Sequence, residues 1–259
     1  MLLEKWMTPL LFKGTDAVDE YTFMGTPRAK AKLDQHRREF ITEEDFKWLV
    51  ANKMNAVRIP VGYWVLQSDG PYTEGVKYLD WAIKTAKKYN IWVLIDLHGA
   101  KGSQNGHDNS GRVGKSDWSK DKEYREQTIS TLEKIAKRYK KAENLWGIEL
   151  LNEPKIGLFQ FKLRRFYKEA GERVSRIAGL DTKIVFHDTF TPRLMSGAIK
   201  QKNAVMDTHW YQFTVLFPWL YSLKRYFRKV THRGALIDRL QKNSQLLLAS
   251  GALFYHTVF

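Results

Sequence analysis

The sequence predicts an α/β fold of the (β/α)8 TIM barrel type, from three observations. Short apolar runs alternate with charged amphipathic stretches. Polar residues capable of chemistry stand near the C-terminal ends of those runs: Arg58, Asp96 with His98, Asn152 with Glu153, His187 with Asp188, and His209 with Tyr211. No Gly-rich phosphate turn leads from the first run into a helix, since His98-Gly99-Ala100-Lys101-Gly102-Ser103 opens a long polar loop instead. Alternating βα units build a parallel sheet. A doubly wound sheet would place a phosphate turn after its first strand, whereas a barrel gathers all its strand ends at one mouth.

Each element has its own signal. Thr42 precedes Glu43, Glu44, Asp45 and a periodic run to Lys53, a capped helix start with acids in its first turn. Asn55 to Pro60 reads as a strand. Glu74 to Tyr89 puts Val76, Leu79, Ile83 and Ala86 on one helical face. Ile91 to His98 is a continuous apolar run, as in a strand covered on both faces. Asp121 to Tyr139 repeats the helical pattern through Ile129, Leu132, Ile135 and Ala136. Leu145 to Leu151 is a third strand, and Phe159 to Ile177 a basic amphipathic helix. Thr182 to His187 and Ala204 to His209 complete the set.

Composition narrows the chemistry. The 259 residues are 43% hydrophobic and 14% aromatic, enough for a core. There is no cysteine, which excludes disulfides, thiolate metal sites and cysteine nucleophiles. Lys+Arg of 43 against Asp+Glu of 28 gives +15. That charge admits nucleic-acid or anionic-surface binding. The basic stretches Lys162, Arg164, Arg165, Lys168 and Lys224, Arg225, Arg228, Lys229, Arg233 nevertheless read as solvated outer faces, and no nucleic-acid motif accompanies them. No apolar run approaches the ~20 residues of a membrane span. Met1-Leu2-Leu3-Glu4-Lys5 does not read as a signal peptide. The chain as written is therefore expected to be a cytoplasmic monomer without a cofactor, exported only if the true start lies upstream.

Leu151-Asn152-Glu153-Pro154 is the sharpest motif. Pro154 ends the strand where the carboxylate emerges. A partly desolvated Glu ringed by aromatics suits a general acid, and Asn152 offers a donor and an acceptor to a sugar hydroxyl. A surface salt bridge is an equal alternative for Glu153. Arg58, at the end of an apolar strand, needs a carboxylate partner, whether catalytic or structural. His98, His209 and Tyr211 are individually more typical of a core than of a catalyst. A three-His metal site lacks supporting spacing, so no metal is expected. The loop from Gly102 to Gly111 offers amides and hydroxyls to sugars, or is a plain flexible loop. Trp64, Trp118, Trp210 and Trp219 are stacking platforms or core.

Taken together, Leu3-Glu4-Lys5-Trp6-Met7-Thr8-Pro9, Val57 to Trp64, Ile95 to Gly111, Gly147 to Pro154 and His209-Trp210-Tyr211-Gln212 resemble glycoside hydrolase family 5, in its exo-β-1,3-glucanase branch. The resemblance implies a (β/α)8 barrel and metal-free retaining hydrolysis of β-glucans or β-glucosides. It implies that Glu153 is the acid/base and that Asn152 holds the hydroxyl beside the anomeric carbon. By the same likeness Arg58 and Tyr211 contact the nucleophile, His98 and His209 line the subsite, and Glu4 and Asn109 bind the terminal sugar. Lys101 and His107 depart from the family's usual Pro and Phe.

Against that pattern the barrel is expected to be incomplete. Strands two to six are present, strand one is partial, and strands seven and eight are missing with the nucleophilic Glu. Residues 1–242 are expected to form the partial catalytic domain. Residues 243–259 carry no formal charge and read as an out-of-frame tail. Codons compatible with Asn243 to Leu253, read one base earlier, can spell Gln-Pro, three β-branched residues and Gly-Glu-Trp-Ser. This chain is accordingly expected to be marginally folded and inactive. The alternatives are a non-catalytic glucan-binding remnant and, from another class, a basic nucleic-acid or anionic-surface binder. Sequencing the source gene through those codons checks the frame: a shifted Gly-Glu-Trp-Ser is expected, and a frame that cannot spell it removes the idea.

Overall fold

The computed structural model describes residue 3 and residues 7–155 and 160–209. The chain divides into two units, the first running through Thr208, and His209 opens the second.

The first unit begins with short helices α1 (Pro9–Phe12) and α2 (Glu20–Phe23), then α3 (Ala29–Glu39) and α4 (Glu43–Ala51). Strand β1 (Ala56–Gly62) follows, then α5 (Val76–Lys88), β2 (Trp92–Gly99), α6 (Lys122–Tyr139), β3 (Leu145–Glu149), α7 (Gln160–Ala178), β4 (Lys183–His187), the short α8 (Pro192–Met195) and β5 (Ala204–Asp207). The predicted capped start at Thr42 is present, and Asp121 caps α6. Asp45 accepts from the Thr42 backbone N–H at 2.7 Å, and Asp121 accepts from that of Glu123 at 2.7 Å.

The five strands are all parallel and lie side by side in chain order. A doubly wound sheet would reverse that order partway. The singly wound sequence is that of a barrel wall. Outward-facing Ile95, Leu97, Ile148, Ile184 and Phe186 share one core with Leu79 and Ile83 of α5, Leu132 and Ile135 of α6, and Phe166 and Val174 of α7. The register sets Pro60 beside Asp96, Asp96 beside Glu149, and His187 beside Asp207. Since residues two apart share a face, Arg58, Asp96, His98 and Glu149 all turn inward. The chain thus sorts its alternation into an apolar outer face under helices and a charged inner one.

Two strand assignments need correction. Arg58 is the third residue of a seven-residue strand, not its end, because the strand continues through Pro60 to Gly62. Pro60 fits there because β1 is an edge strand of the described sheet, with no neighbour to receive an N–H on that side. Strand β3 stops at Glu149, two residues early. Beyond it Leu150 N–H still donates to Val185 O at 2.9 Å and Asn152 N–H to Leu97 O at 3.0 Å, so the chain leaves the ladder without leaving its neighbours. Helix α3 was not anticipated, since only Ala29 and Leu33 are buried in it, too few for a periodic signal.

A satellite cluster of Leu3, Phe12, Ala17, Phe23, Ala29 and Leu33 covers the early helices. Glu20 ties it to the strand layer. Its buried carboxylate accepts from Leu3 N–H at 2.8 Å and Trp64 Nε1 at 3.0 Å, with Arg37 at 3.8 Å. Burial raises its pKa above the usual carboxylate value, against the opposing pull of Arg37. Replacing Glu20 by Leu leaves two donors unanswered and takes the carboxylate away from the buried Arg37 guanidinium, so a loss of about 3 kcal/mol is expected from urea unfolding. An unchanged midpoint contradicts this role.

Candidate active site

The inward face carries one connected polar network. Arg58 donates through Nε to Glu149 Oε2 at 2.7 Å and through Nη2 to Glu149 Oε1 at 3.0 Å, a bidentate pair. Nη2 also reaches Asn152 Oδ1 at 2.9 Å and Asp96 Oδ2 at 3.1 Å. Asp96 Oδ2 lies 2.5 Å from His98 Nδ1, and His98 Nε2 lies 3.3 Å from Asn152 Nδ2. Asp96 and Glu149 are wholly buried.

Glu153 emerges one residue after Asn152. Its backbone sits in the left-handed region at φ +40°, a conformation that costs energy in a non-glycine residue and clusters at functional sites. The turn lifts a half-exposed carboxylate out of the strand layer while Asn152 stays buried behind it. Asn109 Nδ2 donates to Glu153 Oε2 at 3.0 Å. Asn105 Nδ2 donates to both Asn109 Oδ1 (2.9 Å) and Glu153 O (3.1 Å).

The loop from Gly102 to Gly111 is a built wall, not a plain flexible loop. Ser103, Gln104, Asn105 and Ser110 are buried. Gln104 Nε2 donates to His98 O (2.7 Å) and Asn152 O (3.0 Å), clamping the two strand ends together. Behind the loop the Trp64 ring is wedged between Gly62 and Gly111, where a Cβ on either would fall 2.4 Å from it. Trp64 stacks on Tyr72 at 3.8 Å, and Trp118 donates to Thr128 and meets Phe166 edge-on. Both tryptophans are core, which corrects the stacking-platform alternative; Trp210 and Trp219 lie outside the described residues.

Of the expected site residues, Arg58, His98, Asn152, Glu153 and Asn109 converge. His209 is buried at the start of the second unit. Glu4, Tyr211 and the tail from Asn243 lie outside the described residues. His187 and Asp188 form a tight corner at the end of β4, and a His187 ring nitrogen lies within 4.8 Å of a Glu153 carboxylate oxygen. His187 Nδ1 accepts from Thr189 N–H and Asp188 Oδ1 from Phe190 N–H, both at 2.8 Å, with Thr189 and Phe190 at positive φ. The sequence marks no role for Glu149, and it marks Gln104 and Asn105 only as amides of a loop that could face a sugar. A charged residue inside the run Leu145 to Leu151 was the available signal for Glu149.

The electrostatics follow from one cation among several acids. Burial alone would lower the Arg58 pKa, but Asp96 first and Glu149 second outweigh it and hold the guanidinium firmly charged. Burial pushes the Glu149 carboxyl up to about 7, with Asp96 and Asp207 adding to the rise and Arg58 opposing it. The folded chain thus keeps a proton on Glu149 between pH 4.5 and about 7 that the unfolded chain has released. Stability from this group is complete below the unfolded value and is lost as pH rises through that window, by about 3 kcal/mol in all. Urea midpoints across pH 4.5 to 7 are expected to fall for the unmodified chain and to flatten for Glu149→Gln. Equal slopes in the two contradict the assignment.

The comparisons with known proteins agree with this geometry. The Cellulase model (glycosyl hydrolase family 5) matches residues 20–245. The chain is 42% identical over 224 residues to a probable glucan 1,3-beta-glucosidase A of Emericella nidulans, covering 82% of this chain and 55% of that protein. It is 38% identical over 228 residues to a glucan 1,3-beta-glucosidase of Blumeria graminis, covering 82% of this chain and 53% of that one. The chain therefore spans about half the length of the curated relatives it matches. Rutinosidase from Aspergillus niger shares the fold at a TM-score of 0.71 and 19% identity, over 81% of this chain and 65% of the other. Matched by the family model over most of its length and by relatives of that identity, the chain belongs to glycosyl hydrolase family 5.

Proposed function

We propose that this chain carries the acid/base half of a retaining glycosidase of the glucan 1,3-β-glucosidase type, acting on β-glucans or β-glucosides. The carrying observation is Glu153, a half-exposed carboxylate lifted by a left-handed turn and held by Asn109 beside the buried Arg58–Glu149–Asp96–His98–Asn152 network. The names of the relatives support the substrate class.

In this reading Glu153 protonates the departing glycosidic oxygen and later deprotonates the incoming water. Asn152, its Oδ1 committed to Arg58, offers an N–H to the hydroxyl beside the anomeric carbon. Asn109 keeps the Glu153 carboxylate aimed. Retention needs a second carboxylate ~5–5.5 Å from the first. The last acidic residue in the sequence is Asp238 and no Gly-Glu-Trp-Ser occurs. The 259-residue polypeptide by itself is therefore expected to bind glucan without turning it over.

Calorimetric titration with a β-1,3-linked gluco-oligosaccharide, alongside an aryl β-glucoside assay, tests both halves. Saturable binding with background turnover is expected, and Asn109→Ala weakens binding by about tenfold through loss of one or two hydrogen bonds. Turnover at the rate of a full-length relative refutes the inactivity. Absence of glucan binding together with salt-sensitive retention on DNA replaces the whole reading with a basic nucleic-acid binder. In a longer chain that does turn over, Glu153→Gln is expected to cut kcat by 10²–10⁴.

A further inference from the structure

We infer that Asp96 is a positioning residue which, through the tautomer of His98, fixes which way the Asn152 amide faces. The inference rests on the glycosidase reading only for its consequence in sugar binding; its core is a statement about hydrogen positions.

Asp96 Oδ2 stands 3.1 Å from Arg58 Nη2 and 2.5 Å from His98 Nδ1. A guanidinium only donates. A carboxylate oxygen ion-paired with the Arg58 guanidinium and lying this close to a ring nitrogen has no hydrogen to give, so Nδ1 of His98 carries it. A neutral imidazole protonated at Nδ1 presents a lone pair at Nε2. That lone pair faces Asn152 Nδ2 at 3.3 Å. The other end of the amide is fixed independently, because Asn152 Oδ1 accepts from Arg58 Nη2 at 2.9 Å.

The four side chains close a circuit: Arg58 to Asp96, Asp96 to His98, His98 to Asn152, Asn152 back to Arg58. Of the two neutral forms of the imidazole, only the one protonated at Nδ1 suits both the Asp96 and the Asn152 contacts. An Nε2–H ring would set two donors face to face. A flipped amide would relieve that clash only by turning its NH2 onto Arg58. Asp96 and Arg58 together therefore leave Asn152 presenting its second N–H, never a lone pair, toward the mouth. Gln104 stiffens the arrangement by tying the His98 and Asn152 backbones together. Glu149 takes no part in the choice, since it contacts Arg58 from the bidentate side.

The consequence is specific. An Asn locked as a donor requires its sugar hydroxyl to act as acceptor, so that hydroxyl's own hydrogen must point elsewhere. A deoxy or fluorinated sugar at that position separates the two roles, because fluorine accepts weakly and never donates.

The test uses the full 259-residue chain with ¹⁵N-labelled histidine and long-range ¹H–¹⁵N correlations of the imidazoles, the His98 signals being identified by their loss in His98→Gln. At neutral pH His98 is expected to show a protonated Nδ1 and an unprotonated Nε2. An Nε2–H form or a doubly protonated ring in the unmodified chain overturns the inference. Asp96→Asn is expected to keep the Nδ1–H form, since Arg58 demands an oxygen at the shared position. Asp96→Leu is expected to release a mixture with the Nε2–H form and to weaken gluco-oligosaccharide binding about tenfold, while Asp96→Asn retains it. A folded Asp96→Leu with unchanged His98 tautomer also overturns the inference. Should that variant not fold, the unmodified chain and Asp96→Asn decide. The expected tautomer in a chain that binds no glucan removes the glycosidase reading and leaves the positioning role standing.

Discussion

The Arg58 guanidinium sits on the inner face of the sheet, in reach of Glu149, Asp96 and Asn152 at once. Each of those groups comes from a different strand or strand end, so one side chain pins β1 to β2 and β3 from inside. Burying such a cluster is not a route to great stability, because desolvation offsets much of the Coulombic gain. What the cluster supplies is definition. A bidentate fork admits few geometries, and the network fixes strand register, amide orientation and the protonation of Glu149 together. The charge count is uneven, one guanidinium facing more than one acid, and a proton on Glu149 is the physical resolution of that imbalance.

From that anchor the site is assembled by backbone devices. The strand β3 ends at Glu149, yet Asn152 N–H still bonds to β2, so Asn152 is held as rigidly as a strand residue. The left-handed turn at Glu153 then throws the next side chain clear of the buried layer. One stretch of five residues thus yields three environments: a proton-holding carboxyl wholly buried, an amide locked in place, and an accessible carboxylate. The loop from Gly102 to Gly111 supplies the wall that keeps them so, through Gln104 on one side and Asn105 with Asn109 on the other.

Much of this was legible in the sequence. The alternation of apolar runs with amphipathic stretches located all five strands and four of the longer helices to within about two residues, because each signal depends on burial periodicity, which local composition records directly. The Asn152-Glu153-Pro154 motif was legible because proline punctuates the strand. Arg58 was found but placed at a strand end, since Pro60 reads as a stop unless one knows that β1 lies at an edge. Glu149 carries no local mark of a role, and Asp96 is marked only as a polar residue near a strand end, for a different reason. Their roles exist only through pairing across strands more than ninety residues from Arg58 in the case of Glu149, and no local pattern encodes that. Trp64 and Trp118 show the same limit: aromatic content is visible, but whether a ring faces sugar or core depends on the glycines and helices packed against it.

In the proposed function the inner end of this parallel sheet is a sugar site organised around Glu153 and Asn152. A crystal structure of the chain with a β-1,3-linked gluco-oligosaccharide tests it most directly. A glycosidic oxygen is expected within hydrogen-bond distance of the Glu153 carboxylate, with a ring hydroxyl accepting from Asn152 Nδ2. A sugar bound only on the outer helices, with Glu153 and Asn152 untouched, would contradict it.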